Sequence, residues 1–149
     1  MAINVDLQND EELDLVPSEQ QFQQWIAAAL QEPYHQFEQT IRIVGETEGR
    51  ELNSRYRGNA SATNVLAFPG ANELLDYDCL GDLVICAPVV AAEAQAQGKP
   101  LEAHWAHLVV HGMLHLQGFD HQTDADTRQM EALEIKILDT LGYTNPYNV

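Results

Sequence analysis

His111 and His115 stand four residues apart, Gly118 follows three residues later, and His121 comes three after that, all within His111-Gly-Met-Leu-His-Leu-Gln-Gly-Phe-Asp-His121. A spacing of four puts two side chains one turn apart on the same face of a helix. Two imidazoles stacked that way can grip one ion from one side. Gly118 can take the left-handed conformation that ends a helix, so the chain can reverse and His121 can return as a third ligand. A lone histidine on an apolar helix is a packed or surface side chain. Three at ligand spacing, around a correctly placed glycine, point to a metal centre. The stretch therefore demands a helix, a sharp turn and a return.

The order His, His at +4, Gly at +7, His at +10 is the spacing of the metzincin zinc helix. In that motif a Glu directly follows the first His and acts as general base. Here Gly112 stands in that place. The ligand set is present and the peptidase's base is missing, which implies a three-His centre for another hydrolysis, or a base supplied from elsewhere. A purely structural zinc closes its fourth position with a protein ligand, often Cys, whereas three ligands leave room for water. Cys79 and Cys86 lie in another segment and lack the spacing of a zinc ribbon. Zinc on three neutral imidazoles keeps its double charge, lowers the pKa of a bound water towards about 7 and polarises a phosphoryl or carbonyl oxygen. Nickel or copper would also accept imidazole.

With 149 residues and 45% apolar content, one domain over residues 1–149 with a substantial core is expected. Met1-Ala-Ile-Asn-Val-Asp has neither the basic nor the apolar region of a secretory signal. No apolar run approaches membrane-spanning length, and two unpatterned cysteines suit a reducing compartment. A cytoplasmic protein without a membrane partner is expected. The formal charge of −16 opposes free-standing, non-specific nucleic-acid binding, and no DNA partner is expected. Three of the seven basic residues, Arg50, Arg55 and Arg57, nonetheless fall in one short span.

Residues 1–8 alternate Ile3, Val5 and Leu7 with polar neighbours, a half-buried strand. Ser18, with Gln21 at the reciprocal capping-box position, opens a helix. Its core face is Phe22, Trp25, Ile26, Ala29 and Leu30, and Pro33 ends it. Residues 40–45 read as a second strand. Thr47 caps a helix to about Tyr56, weakened at Gly49. A loop of small and polar residues runs to Asn64, a third strand covers 65–68 up to Pro69, and 70–80 is a surface loop with Glu73, Asp76 and Asp78. A fourth strand lies within 81–87. Pro88 opens a helix that stops at Gly98, and Pro100 opens the histidine helix, which ends near Gln117. Thr123 or Asp124 caps a last helix with Met130, Leu133, Ile137, Leu138 and Leu141 inward and Gly142 at its end. The order βαβαββ followed by helices predicts an α/β (α+β) fold: a mixed sheet of about four strands covered by five or so helices, one of them the metal helix.

His104, His107, His111 and His115 lie within about 80° of helical arc. His107 can support a ligand, touch substrate or simply be buried. Asp120 either accepts a ligand's free N–H and fixes its ring or serves the turn. If the substrate is RNA, its own 2′-hydroxyl can be the nucleophile, and the phosphate charge needs stabilising. A guanidinium binds phosphate oxygens bidentately. Arg57, at the edge of the small-residue loop, is the candidate, provided the fold brings it to the metal.

The chain resembles the YbeY family of bacterial endoribonucleases. The carrying segments are Leu52-Asn-Ser-Arg-Tyr-Arg57, Thr63-Asn-Val-Leu-Ala-Phe-Pro69, Leu80-Gly-Asp-Leu-Val-Ile85, His107-Leu-Val-Val through His121, and Met130-Glu-Ala-Leu-Glu134. The resemblance implies an α/β fold with a small mixed sheet and one zinc ion per chain held by His111, His115 and His121. It implies cleavage of single-stranded RNA and a role in ribosomal RNA maturation, particularly at the 3′ end of the small-subunit RNA, and in ribosome quality control. The family's functional Arg maps onto Arg57. The ribosome or small-subunit proteins are the implied partners, and they would position the RNA. Two positions depart from the family pattern: Ala60 stands where it has Asp, and Ala67 where it has Ser.

Three other readings compete. A metallopeptidase fits the histidine spacing but not Gly112. A non-enzymatic ribosome-assembly factor would carry a structural zinc. A metal-dependent hydrolase of small phosphates or amides would need a closed pocket.

Overall fold

Nine elements form in the computed structural model, which describes residues 2–32, 36–57, 63–70, 79–119 and 122–147. They are β1 (Ala2–Gln8), α1 (Glu19–Ala29), β2 (Gln36–Val44), α2 (Glu46–Arg57), β3 (Val65–Pro69), β4 (Gly81–Cys86), α3 (Ala87–Gln97), α4 (Leu101–Leu116) and α5 (Asp124–Thr140). The four strands form a mixed sheet in the order β1-β2-β4-β3. β1 and β4 run parallel to β2, and β3 closes the edge antiparallel to β4. This is the expected α/β architecture, with Pro69 at the end of an edge strand, where its missing N–H costs least.

Period-2 alternation splits β4 between two cores. Leu83 and Ile85 face the main one, with Ile41, Ile43, Val5 and the apolar faces of α1, α4 and α5. Val84 and Cys86 face a smaller one with Val44 and Leu66, covered by Leu52 of α2 and Val89 of α3. α2 and α4 thus lie on opposite faces of the sheet. In the main core Phe22, Trp25 and Trp105 are fully buried and meet edge to face, with ring centroids 5.6 and 6.0 Å apart. Burying each such ring contributes about 2–3 kcal/mol.

Local signals account for most boundaries. Ser18 caps α1 in a capping box with Gln21, Gly98 ends α3 at φ 65°, and the Thr123 side chain accepts from the Asp126 N–H at the start of α5. Two boundaries differ from expectation. β2 begins at Gln36 rather than residue 40, because Phe37 and Gln39 continue the inward face set by Ile41. Gln39 is buried there because its Nε2 donates to the Gly81 carbonyl at 2.9 Å. α2 begins at Glu46, so Thr47 lies inside the helix rather than capping it. The Gly45 carbonyl accepts the first helical bond, and the Glu11 carboxylate takes the Gly45 N–H at 2.9 Å. Pro33 and the acidic residues Glu73, Asp76 and Asp78 lie outside the described residues. No helix among the described residues is long and apolar enough to cross a membrane.

Candidate metal centre

α4 is the helix the others pack around. It lies against α1, α3, α5, β3 and β4, and Trp105, Ala106, Val109, Val110, Met113 and Leu114 are almost fully buried along it. Its C-terminus behaves as the spacing predicts. Gly118 adopts φ 101°, its N–H reaches the His115 carbonyl, and the Phe119 N–H reaches that of Leu114. This is a Schellman turn, and Phe119 packs back on the core.

His111 and His115 share one face of α4 and line a small hollow of about 160 Å³ with Thr63, Asn64, Val65 and Ala67. Gly112 forms part of the same lining, and the reason for glycine is steric. A Cβ there would stand 2.7 Å from Leu83 Cδ2 and 3.5 Å from Val65 Cγ2. Leu83 is fully buried, so the position that carries glutamate in zinc peptidases is closed here by the sheet.

Glu134 enters the sequence analysis only as the end of a family-like segment, with no role assigned. It sits on α5 with 1% exposure, between Met130 and Ile137 on the apolar face. His107 Nε2 lies 2.7 Å from Glu134 Oε1, the Tyr147 hydroxyl donates to that oxygen at 2.9 Å, and His111 Nδ1 lies 3.4 Å from Oε2. Burial alone would push this carboxyl up. The hydrogen bonds from His107 and His111, with their charge, outweigh it and hold the group near a pKa of about 2. Burial, then the Glu134 charge and hydrogen bond, push the Tyr147 phenol up, so it remains a donor.

An ionised carboxylate only accepts. The proton on His111 therefore belongs on Nδ1, leaving Nε2 as a lone-pair donor, which is how a carboxylate behind a metal-binding histidine sets its tautomer. Once its charge is given up, an imidazole in that tautomer fits a divalent cation that takes nitrogen ligands. His107 joins the same carboxylate with its side chain 13% exposed. The available signal for Glu134 was a carboxylate at a core position of an apolar helical stripe, since such a group requires partners.

Of the expected site residues, the structure brings together His107, His111 and His115. His121 and Asp120 lie outside the described residues. Arg57 is the last residue of α2; its backbone is described and its guanidinium is not. Thr63 at the hollow is six positions further along the chain, a span of at most about 20 Å. Among the described residues no group of three or more His, Cys, Asp or Glu is placed to hold a metal.

The profile described as Endoribonuclease YbeY matches residues 4–142. The protein of that name from Nitrosococcus oceani is 51% identical over 150 residues, covering 99% of this chain and 98% of its own. Its counterpart from Pseudomonas fluorescens is 55% identical over 133 residues, 88% of each chain. The solution structure of a Thermotoga maritima protein matches with a TM-score of 0.60 at 22% identity, covering 99% of both chains, a likeness of fold.

Proposed function

The chain belongs to the endoribonuclease YbeY family, and from that membership we propose a zinc-dependent endoribonuclease acting on single-stranded RNA, with His111, His115 and His121 as metal ligands and Arg57 on the phosphate. The observation that carries the metal part is the Glu134 carboxylate behind His111 Nδ1.

A bound divalent ion would supply Lewis-acid stabilisation of charge on a phosphoryl oxygen. The chain's own side chains prepare for it. Glu134 holds the proton of His111 on Nδ1 and keeps Nε2 free of it. His107, donating to the same carboxylate, keeps Glu134 from rotating away. Leu83 closes position 112 to a glutamate. RNA brings its own nucleophile in its 2′-hydroxyl, so no glutamate at 112 is needed to activate a water, although the hydroxyl proton still requires an acceptor. Arg57 binds two phosphate oxygens at once.

In the cell this activity belongs to maturation of ribosomal RNA, at the small-subunit 3′ end, and to ribosome quality control in the cytoplasm. Ribosomal partners that hold the RNA would offset the repulsion expected from a charge of −16.

The test is cleavage of labelled single-stranded RNA by protein as isolated, chelated and zinc-restored, beside Arg57→Ala and His115→Ala. Cleavage should vanish on chelation, return with zinc, and be lost in both variants, with metal content unchanged in Arg57→Ala. Equal cleavage in every sample would reject it. Ribosomal RNA processing that survives both substitutions would favour an assembly factor with a structural zinc.

A further inference from the structure

Asn64 borders two hollows. One holds His111 and His115. The other, of about 790 Å³, lies between the end of α3, the first turns of α4 and the segment after α5, and is lined by Tyr143, Tyr147, His107 and Pro100 among others. Its size is that of a small-molecule site. It also contains a polar cluster that the metal chemistry leaves unused. His104 is 3% exposed, and its Nε2 lies 3.0 Å from Glu93 Oε1. Asn64 Nδ2 donates to the same oxygen at 3.1 Å and approaches Oε2 only to 3.4 Å.

Two donors therefore converge on one oxygen of Glu93 and hold the carboxylate in place, while the side chain stays 34% exposed. Its remaining lone pairs can accept from a ligand. With Nε2–H committed to Glu93, His104 Nδ1 is an acceptor that is buried and has no partner among the described residues. A fixed acceptor edge in a hollow walled by aromatic rings suits an unstacked base of single-stranded RNA, which stacks on such rings and is read along its hydrogen-bonding edge. Guanine offers two adjacent donors, N1–H and N2–H; with Oε1 already accepting from His104 and Asn64, both would converge on the lone pairs of Oε2.

We propose that this hollow seats one base of single-stranded RNA beside the phosphate held at the histidines, and that Glu93, braced by His104 and Asn64, selects guanine there. The adjacency to the reacting phosphate rests on the nuclease reading; the base site itself does not.

The experiment follows backbone amide shifts of the full chain while guanosine, adenosine, cytidine and uridine 5′-monophosphates are added in turn, for wild type, Glu93→Gln and Ala96→Phe. Ala96 lines the hollow from an exposed position on α3, so a Phe there fills it without touching the core. The expected result is a guanosine-selective response at residues 93–104 and 143–147, weakened about tenfold or more in Glu93→Gln, the size of a lost charge-assisted hydrogen bond, and abolished in Ala96→Phe. Equal response to all four nucleotides, indifference to both substitutions, or shifts confined to 63–67 and 111–115 would overturn it. Selective binding by a zinc-loaded protein that cuts no RNA would reject the nuclease reading and keep the base site. Cleavage without any base preference or binding here would do the reverse.

Discussion

Gly112 and Leu83 are in such close contact that a Cβ on the glycine would stand 2.7 Å from a Leu83 methyl carbon. Two effects oppose each other at this position. Alanine is favoured over glycine inside a helix by about 1 kcal/mol, while overpacking a closed core costs about 1–3 kcal/mol. Leu83 is fully buried and cannot swing into solvent, so the clash should win. Gly112→Ala is expected to lower unfolding stability by about 1 kcal/mol, measured by urea titration. In a Leu83→Ala background the sign should reverse. An alanine that stabilises the wild-type protein would show that this contact does not determine the residue.

The same geometry bears on the peptidase alternative. Gly112→Glu should destabilise the protein more than Gly112→Ala and should confer no peptidase activity, since the carboxylate has no space beside His111 while Leu83 is present. Peptide hydrolysis by the wild-type protein would sink this argument.

Glu134→Gln keeps the shape of the side chain and removes its charge. The amide can still accept, but it cannot serve His107, His111 and Tyr147 as an ionised acceptor does. Loss of such a carboxylate behind a metal ligand costs about 10–100-fold in metal affinity. Competition against a chromophoric chelator should show that loss while the far-ultraviolet circular dichroism stays native. Unchanged affinity would mean that Glu134 serves the core alone.

Much of the fold was legible because it depends on local chemistry. Ser18 with Gln21, Gly98, Gly118 and Thr123 each mark an end by a hydrogen bond or a backbone conformation that only nearby residues decide. β2 was read short because Gln39 interrupts the apolar alternation, and its partner, the Gly81 carbonyl, is 42 residues away. Thr47 has the hydroxyl that favours capping, whereas at the start of α2 it is Glu11, from a distant segment, that takes the Gly45 N–H. In the site, His111 and His115 were legible as a helical pair. Glu134 was not, since its meaning depends on α5 crossing α4, and that is a tertiary fact.

Ser18→Ala should cost about 1 kcal/mol of stability. Its hydroxyl accepts the Gln21 N–H at 3.2 Å, and the Gln21 side chain accepts the Ser18 N–H at 3.0 Å. Gln21 also donates to Glu102 at 2.7 Å, tying the first turn of α1 to the first turn of α4. Chemical denaturation measures the loss. A change below about 0.3 kcal/mol would place the end of α1 under tertiary rather than capping control.

Tyr147 lies at the other end of the chain from Ser18 and tests the Glu134 cluster from outside. Its hydroxyl donates to Glu134 at 2.9 Å, and its ring stands edge-on to His107 with centroids 5.3 Å apart. Tyr147→Phe keeps the ring and removes the donor, so it should lower stability by about 1 kcal/mol, the net value of one hydrogen bond or somewhat more for a charged acceptor. In a Glu134→Gln background the same substitution should cost less than half as much, because residues sharing one network are not additive. Equal costs in the two backgrounds would show that the Tyr147 hydroxyl owes its contribution to contacts other than Glu134. A coupling near 0.5 kcal/mol or above would establish that the segment after α5 is anchored on the carboxylate that also orients His111.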